Sequence, residues 1–355
     1  MGCDVSALNT VQFSNHTGYK QWKGTRVSAQ EITDLWEGLK QSYLDNFDMM
    51  LSGYVPGAAA VEAVGCIAKE LREKARAKKT DDQSPGRGSF FWVLDPVMGD
   101  NGRLYVAEDV VPAYRGLIPY ADLILPNQFE AELLSEVKIH DQASLYRAIE
   151  VLHSRYGVPH VVITSLPLPL SLPPSPGEGE EPEQSRPPPT RTMSVVGSSM
   201  TSDRRPRPFR IPFSVFDCYF SGTGDMFAAL MVTRMREAVH NTSTNNPDSG
   251  SAPDPRLEDV HSWLSPDGVD ALDLPLARAA EKVLASMHEV LERTCAAMGA
   301  ELRGAVRALK GKSDSADDLD PRTAHLLRSH AAELKLSRNL ACLRNPGIRY
   351  HAEKM

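Results

Sequence analysis

The sequence predicts one doubly wound α/β domain, in which helices flank a mostly parallel central sheet. Two observations lead to this fold class. Short apolar runs alternate along the chain with amphipathic helical patterns, the order typical of repeated strand–helix units. The apolar runs at residues 89–94 and 160–165 are continuous rather than alternating. Continuous runs are typical of strands that are buried on both faces of a parallel sheet.

The predicted elements follow one another with short connections. A capping-box pattern at Ser28 and Glu31 begins the first helix, and apolar residues then recur at helical spacing up to Lys40. The other predicted helices are residues 58–78, the segment capped by Asp141, and residues 276–298 with the buried stripe Val283, Leu284, Met287, Val290 and Leu291. The predicted strands are residues 47–51, 89–94, 121–125 and 160–165, with further strands in 192–214.

Two polar inserts interrupt this series. Residues 166–191 hold nine of the chain's 26 prolines, and residues 240–255 are rich in Asn, Ser and Pro. Such segments bury too little apolar surface to order themselves, so both are predicted to be disordered loops. Neither has the character of a linker between two folded units. We therefore expect a single domain over residues 1–355.

Composition excludes several classes of partner. The net charge of −7 and the pI near 5.8 argue against nucleic-acid and anionic-membrane partners, which require a basic face. The five cysteines are scattered and odd in number, which favours a reducing compartment over a disulfide framework or a zinc site. No apolar stretch is long enough for a membrane span, and Asp4 interrupts any signal-like start. We expect a cytoplasmic protein, with the nucleus as a second location.

A glycine-rich turn opens directly into a predicted helix within YFSGTGDMFAAL, residues 219–230. Gly222 and Gly224 allow the backbone to approach a ligand closely, and the helix N-terminus offers unpaired amides to a phosphate. Asp225 falls in the first helical turn, where a carboxylate can accept a proton from an attacking hydroxyl. Taken alone, the motif also fits a tight turn with an acidic helix start, and both interpretations stay open.

Five further segments accompany this motif: NTVQFSNHTGY at residues 9–19, LSGY at 51–54, DPVMGD at 95–100, PNQFEAE at 126–132 and VITS at 162–165. Together they resemble ribokinase-like kinases, and the pyridoxal kinase family among them, over the whole chain outside the two inserts. Residues 9–19 resemble that family's substrate lid and are named the lid segment below. His16 within the lid segment is predicted to be structural.

The resemblance implies ATP-dependent phosphorylation of the 5′-hydroxyl of pyridoxal, pyridoxine or pyridoxamine, by a homodimer with Asp225 as general base. The implied vitamin contacts are Val11, Phe13, Thr17, Tyr54 and Asp225. The implied nucleotide contacts are Asn127, Thr164 and Ser165, with Gly222, Thr223 and Gly224 as the anion hole. The implied metal sites are Mg²⁺ at Asp100 and Glu130, and a monovalent cation, K⁺, at Asp95 and Thr164.

Each residue also has a plain structural interpretation. Asp95 before a proline can start a turn. Asn127 and Glu130 can be a helix cap and its first-turn acid, an ordinary helix start. Tyr54 can be a core aromatic residue, and Thr164 with Ser165 can simply end a strand.

The chain departs from the family at its first residues, because residues 1–5 resemble the part that follows an opening strand–helix unit. That unit supplies a serine to the pyridine ring in the family, so we expect one wall of the pocket to be missing. Leu125 stands where the family often has a threonine near the monovalent cation. Two alternatives remain open. A hydroxymethylpyrimidine kinase is disfavoured by SNHTGY, and a non-catalytic nucleotide-binding relative is disfavoured by the intact SGTGD motif.

Overall fold

A seven-stranded sheet forms the centre of the protein, seen in a computed structural model that describes residues 2–81, 90–167, 192–244, 256–311 and 319–355. The strands of this sheet are β3 (Met49–Ser52), β4 (Phe91–Leu94), β7 (Leu123–Ile124), β8 (His160–Pro167), β9 (Thr192–Met200), β10 (Pro206–Ser214) and β11 (Glu353–Lys354). Two small hairpins stand apart from it: β1 (Val11–Phe13) with β2 (Gly24–Arg26), and β5 (Gly99–Asp100) with β6 (Arg103–Leu104).

The sheet has the order β11-β10-β9-β8-β7-β4-β3. The four strands β3, β4, β7 and β8 pair in parallel, which confirms the predicted parallel centre. The strands β9, β10 and β11 extend this centre with antiparallel pairings. The antiparallel strands β9 and β10 are joined by a short turn, whereas parallel neighbours need a crossover.

Helices cover both faces of the sheet. They are α1 (Ala29–Gln41), α2 (Ala58–Asp81), α3 (Val110–Leu117), α4 (Gln128–Ser135), α5 (Gln142–Ser154), α6 (Thr223–Thr244), α7 (Pro275–Lys310), α8 (Pro321–Ala331) and α9 (Leu340–Arg344). Short 3₁₀ turns lie at Thr17–Tyr19, Ile118–Tyr120, Leu257–Asp259, His261–Trp263, Ala271–Asp273 and Ser337–Asn339.

The two faces carry separate hydrophobic cores. Trp92 and Leu94 of β4 pack into the core formed with α1 to α5, whereas Phe91 and Val93 pack into the core formed with α6 and α7. Successive side chains of a strand point to opposite faces, so a strand between two helical layers must be apolar at every position. This is the physical origin of the continuous apolar runs in the sequence.

Most predicted elements are confirmed, with shifted ends. Ser28 and Glu31 form the predicted capping box of α1, and Asp141 caps α5. The predicted inserts begin too early: residues 166–167 belong to β8 and residues 240–244 to α6, because strand pairing and helix propagation continue past the change in composition. The rest of both inserts, residues 168–191 and 245–255, lies outside the described residues. Within the described ranges, no helix has the length and apolarity that a bilayer span requires.

Candidate active site

The loops that carry the predicted site residues gather at one edge of the sheet, where its parallel strands end. Tyr54 follows β3, Asp95 follows β4, and Asn127 follows β7. Short contacts tie these loops together: the Asp95 amide donates to the carbonyl of Ser52 (2.8 Å), and Asn127 forms a parallel bridge with Thr164 of β8. Ligands of open α/β sheets bind at this edge, because the connecting loops diverge there and leave a crevice.

The glycine-rich turn forms the start of α6, which begins at Thr223. Gly222 has φ +79°, a left-handed conformation that favours glycine. Its carbonyl accepts the amide of Met226 (3.0 Å) and so closes the first helical turn. The other amides of this turn have no partner within the helix and remain available to an anion.

Asp225 projects from this turn toward the loop after β3. Its carboxylate is exposed, and a β-carbon added to Gly53 would lie 4.0 Å from Oδ1. A β-carbon added to Gly222 would lie equally far from Oδ2, so both glycines adjoin the carboxylate at ordinary contact distance. The two glycines leave open space beside a carboxylate and an anion-binding turn, the geometry that in-line phosphoryl transfer needs.

Asp95 is buried close to this carboxylate. Burial raises its pKa well above the usual range, and the negative charges of Glu130 and Asp225 raise it further. No lysine or arginine pairs with Asp95 in the described part of the chain. Its neighbours Glu130 and Asp225 are carboxylates as well, and carboxylate oxygens are the kind of ligand that Mg²⁺ prefers.

Glu130 is buried and fastens the loop after β4 to α4. Its Oε1 accepts the amides of Met98 (2.8 Å) and Gly99 (3.3 Å), and its Oε2 accepts the amide of Asn127 (2.9 Å). Burial raises its pKa to about 7 although these hydrogen bonds act in the opposite direction. The helix-cap interpretation of Asn127 and Glu130 is thus confirmed, since both halves of a capping box are present. With both oxygens occupied, Glu130 is better suited to reach a metal through water.

Asp100 lies on the exposed hairpin β5–β6. Its Oδ1 accepts the main-chain amide of Asn101 (2.7 Å), its Oδ2 accepts the side-chain amide of Asn101 (3.0 Å), and the residue is exposed. Among the described residues, no group of three or more His, Cys, Asp or Glu side chains surrounds a common point. Scattered carboxylates rather than a full protein cage suit Mg²⁺, which keeps several waters and binds phosphates.

A cleft of about 290 Å³ lies next to the glycine-rich turn. Of the predicted nucleotide residues it is lined by Thr164, Ser165, Thr223 and Gly224. Ser165 has φ +58° at a bulge in β8, which turns the strand end toward the cleft. Asn127 and Gly222 do not line the cleft.

Sequence reasoning missed an aromatic wall of this cleft. His288 of α7 lies 4.9 Å from the ring of Phe216, and its Nδ1 is 3.0 Å from the hydroxyl of Tyr350. The neighbouring residues Leu284, Met287 and Leu291 also line the cleft, although their helical spacing predicted a core stripe. Apolar periodicity predicts a buried face but does not distinguish a hydrophobic core from a ligand cleft. In the sequence, only the aromatic residues near 213–220 could have indicated this cleft.

The lid segment lies against the glycine-rich turn. His16 Nδ1 is 3.2 Å from the hydroxyl oxygen of Ser221, immediately before Gly222. Thr17 is exposed in a 3₁₀ turn, while the centres of the tilted Phe13 and Trp22 rings lie 4.2 Å apart. The main-chain carbonyl of Tyr54 accepts the Thr10 hydroxyl (2.7 Å). The structure thus brings the lid segment and the glycine-rich turn together. The contacts of a vitamin with Val11, Phe13, Thr17 and Tyr54 stay predictions.

Known proteins are similar to this chain in sequence. A profile of the family described as phosphomethylpyrimidine kinase matches residues 64–170. The pyridoxal kinase of Ovis aries is 34% identical over 299 residues, which cover 83% of this chain and 77% of that protein. The pyridoxal kinase of Homo sapiens is 32% identical over 312 residues, covering 86% and 81% respectively. The chain belongs to the pyridoxal kinase family.

A solved structure of this family has the same fold. The pyridoxal kinase of Leishmania donovani in complex with ADP and pyridoxamine superposes with a TM-score of 0.67 and 26% identity. The match covers 100% of this chain and 90% of that one. The predicted α/β fold with its central, mostly parallel sheet is therefore confirmed, and so is the predicted resemblance to pyridoxal kinases.

The buried carboxylate of Asp95 is expected to lower the stability of the ligand-free protein as the pH rises. The pKa of Asp95 is higher in the folded than in the unfolded chain, so its ionisation costs stability as the pH rises. Asp95→Asn should therefore raise the melting temperature of the ligand-free protein by a few degrees at pH 8, and by less at pH 5. Calorimetry at both pH values tests this, with the exposed Asp109→Asn as control. Equal melting temperatures for Asp95→Asn and the wild type at pH 8 would contradict it.

Proposed function

We propose that this chain transfers the γ-phosphate of ATP to the 5′-hydroxyl of pyridoxal, and of pyridoxine and pyridoxamine. The observation that carries the proposal is the exposed Asp225 carboxylate in the first turn of α6, beside the Gly222 turn and the adjoining cleft. Solved family members hold ADP together with pyridoxamine or with pyridoxine. A vitamin alcohol and a nucleotide are therefore the substrates that best fit a site in which a carboxylate base, an anion-binding turn and a cleft adjoin one another.

Asp225 is proposed as the general base. Its carboxylate accepts the proton of the 5′-hydroxyl as the oxygen attacks the phosphorus in line. The backbone amides of Gly222, Thr223 and Gly224 receive the transferring phosphoryl oxygens, supported by the positive end of α6. The protein's contribution is mainly positioning and charge stabilisation, because the transferring group itself needs little covalent help.

The acidic residues are proposed to hold the cations. Asp100, together with Glu130 through water, would hold Mg²⁺, which neutralises charge on the nucleotide phosphates when bound. Asp95 and Thr164 would hold a monovalent cation, K⁺. The support is the buried Asp95 carboxylate near Glu130 and Asp225, because burial first and the charges of these two carboxylates second raise its pKa. Leu125 is buried next to this site and offers no side-chain oxygen to a cation.

The remaining predicted residues are proposed as substrate contacts. Asn127, Thr164 and Ser165 would contact the nucleotide, and Thr17 and Tyr54 would face the pyridine ring, with Val11 and Phe13 lining the pocket. Support comes from the carboxyl-end position of these loops and from the contact between the lid segment and Ser221.

We also propose one domain, a homodimer, and a cytoplasmic location. Light scattering tests the homodimer, and cell fractionation tests the location.

The decisive experiment compares phosphorylation of pyridoxal and of hydroxymethylpyrimidine by the same preparation, with ATP and Mg²⁺. A hydroxymethylpyrimidine kinase is the second candidate, because the matching family profile carries the phosphomethylpyrimidine kinase description. We expect turnover of pyridoxal and little turnover of hydroxymethylpyrimidine. The reverse preference would replace the proposal by the second candidate. Binding of ATP without turnover of either alcohol would instead identify a non-catalytic relative.

A further inference from the structure

The C-terminal part of the chain contacts the lid segment. Helix α8 packs on the 3₁₀ turn Thr17–Tyr19. Two residues beyond α8, the Glu333 carboxylate accepts the Tyr19 hydroxyl at 2.9 Å. The same oxygen of Glu333 is 3.3 Å from Nε2 of His16. One carboxylate therefore holds two side chains of the lid segment.

His16 continues this contact to the phosphate-binding turn. Its Nε2 faces Glu333, and its Nδ1 is 3.2 Å from the hydroxyl oxygen of Ser221. A neutral imidazole satisfies both partners, because Nε2–H donates to the carboxylate and Nδ1 accepts the Ser221 hydroxyl. A carboxylate that accepts from Nε2 favours this tautomer. His16 thus joins the C-terminal segment, the lid segment and the glycine-rich turn.

The backbone around His16 fits the same arrangement. His325 of α8 donates from Nε2 to the carbonyl of Gly18 at 3.0 Å. A β-carbon at position 18 would lie 2.9 Å from Nδ1 of His16, so a glycine there leaves room for the imidazole. Arg322 of α8 contacts Gln21, just beyond the lid segment.

The strength of these contacts suits a reversible closure. The Glu333 and His16 side chains are 45% and 31% exposed, and a hydrogen bond between partly exposed groups contributes only modestly. The Tyr19 hydroxyl stays protonated at neutral pH, since burial and the hydrogen bond to Glu333 raise its pKa to about 12. Together the contacts can bias the lid segment toward closure while still permitting it to open for a substrate.

We propose that Glu333 and His16 are positioning residues that hold the lid segment against the glycine-rich turn and so set the affinity for the vitamin. The assignment rests on the proposed kinase function. Neither residue transfers a proton to substrate in this role. Glu333 acts through His16 and Tyr19, and His16 acts through Ser221.

The test uses the variants Glu333→Gln and His16→Gln in the full chain. Each should raise the KM for pyridoxal about fivefold, the size expected from losing hydrogen bonds to a partly exposed carboxylate. The kcat and the KM for ATP should change less than about twofold, because neither side chain lines the cleft. The double variant should resemble the single ones, since both remove the same contact. The matched controls are His240→Gln and Glu258→Gln, which break a His–Glu pair of 2.7 Å far from the site.

Hydrogen–deuterium exchange supplies a readout without turnover. The amides of Tyr19 and Lys20, bonded within the lid segment, should exchange faster in both variants than in the wild type and the controls. Unchanged exchange, or a KM for pyridoxal equal to that of the controls, would overturn the assignment. A lower melting temperature with uniform loss of kcat would also overturn it, in favour of a purely structural role. If the wild type lacks kinase activity, the proposed function fails on its own, and exchange with calorimetric binding of pyridoxal still decides the role of Glu333.

Discussion

Replacing Asp225 with asparagine is expected to lower kcat for pyridoxal phosphorylation by about 10²–10⁴-fold, the range that general-base catalysis contributes. The amide preserves the shape of the side chain but cannot take a proton at neutral pH. The affinity for ATP should be nearly unchanged, because the cleft is lined by other residues and the turn keeps its amides. Single-turnover phosphorylation of pyridoxal measures the loss, and calorimetry measures the binding of ATP.

The control for this experiment is Asp217→Asn, an exposed aspartate in the loop before the turn. This variant should retain the wild-type kcat, since its side chain does not line the cleft. If Asp225→Asn kept kcat within about tenfold of the wild type, another base or a water would have to take the proton. The proposed role of Asp225 would then be wrong, even if the chain were a pyridoxal kinase.

Replacing Asp122 with alanine is expected to destabilise the protein by about 3–5 kcal/mol, the cost of removing one partner from a buried ion pair. Asp122 is buried at the start of β7. Its carboxylate pairs with Arg72 of α2, accepts the amide of Trp92 in β4 (2.7 Å) and accepts the hydroxyl of Ser262 (2.6 Å). The substitution leaves all three donors without their acceptor.

Keeping the Asp122 carboxylate ionised inside the protein costs free energy. Burial raises the pKa, and the attraction of Arg72 with the two hydrogen bonds only partly offsets that effect. Urea unfolding measures the loss, and Glu136→Ala is the control, because Glu136 pairs with Arg115 and Arg155 at the surface. The control should lose much less stability. A free energy of unfolding for Asp122→Ala within about 1 kcal/mol of the wild type would contradict the expectation.

Local signals were sufficient for much of the fold. The capping box at Ser28 and Glu31 uses residues three apart, so sequence alone predicts the start of α1. The parallel centre was predictable because both faces of β4 are buried and every residue is apolar. The glycine-rich turn was predictable because Gly222 and Asp225 act through local geometry.

Prolines and distant contacts hid other features from sequence reasoning. The strands β9 and β10 form a local hairpin, but three prolines of β10 blur its strand pattern. Sequence reasoning offered Glu130 both as a metal ligand and as part of a helix cap; the Asn127 amide confirms the cap, while the amides of Met98 and Gly99 are distant contacts that gave no signal. Tyr350 gave no signal for the nucleotide cleft, because its contact with His288 joins residues 62 positions apart.

The contact between Tyr19 and Glu333 spans 314 positions and has a consequence for biosynthesis. A ribosome delivers the lid segment long before the carboxylate that holds it, and helices and neighbouring strands form while synthesis continues. The parallel centre of the sheet and α1 to α5 can be in place before Glu333 exists. The lid segment is therefore made well before the contact that secures it. A nascent chain that stalls before residue 333 would carry a folded first core with an unanchored lid.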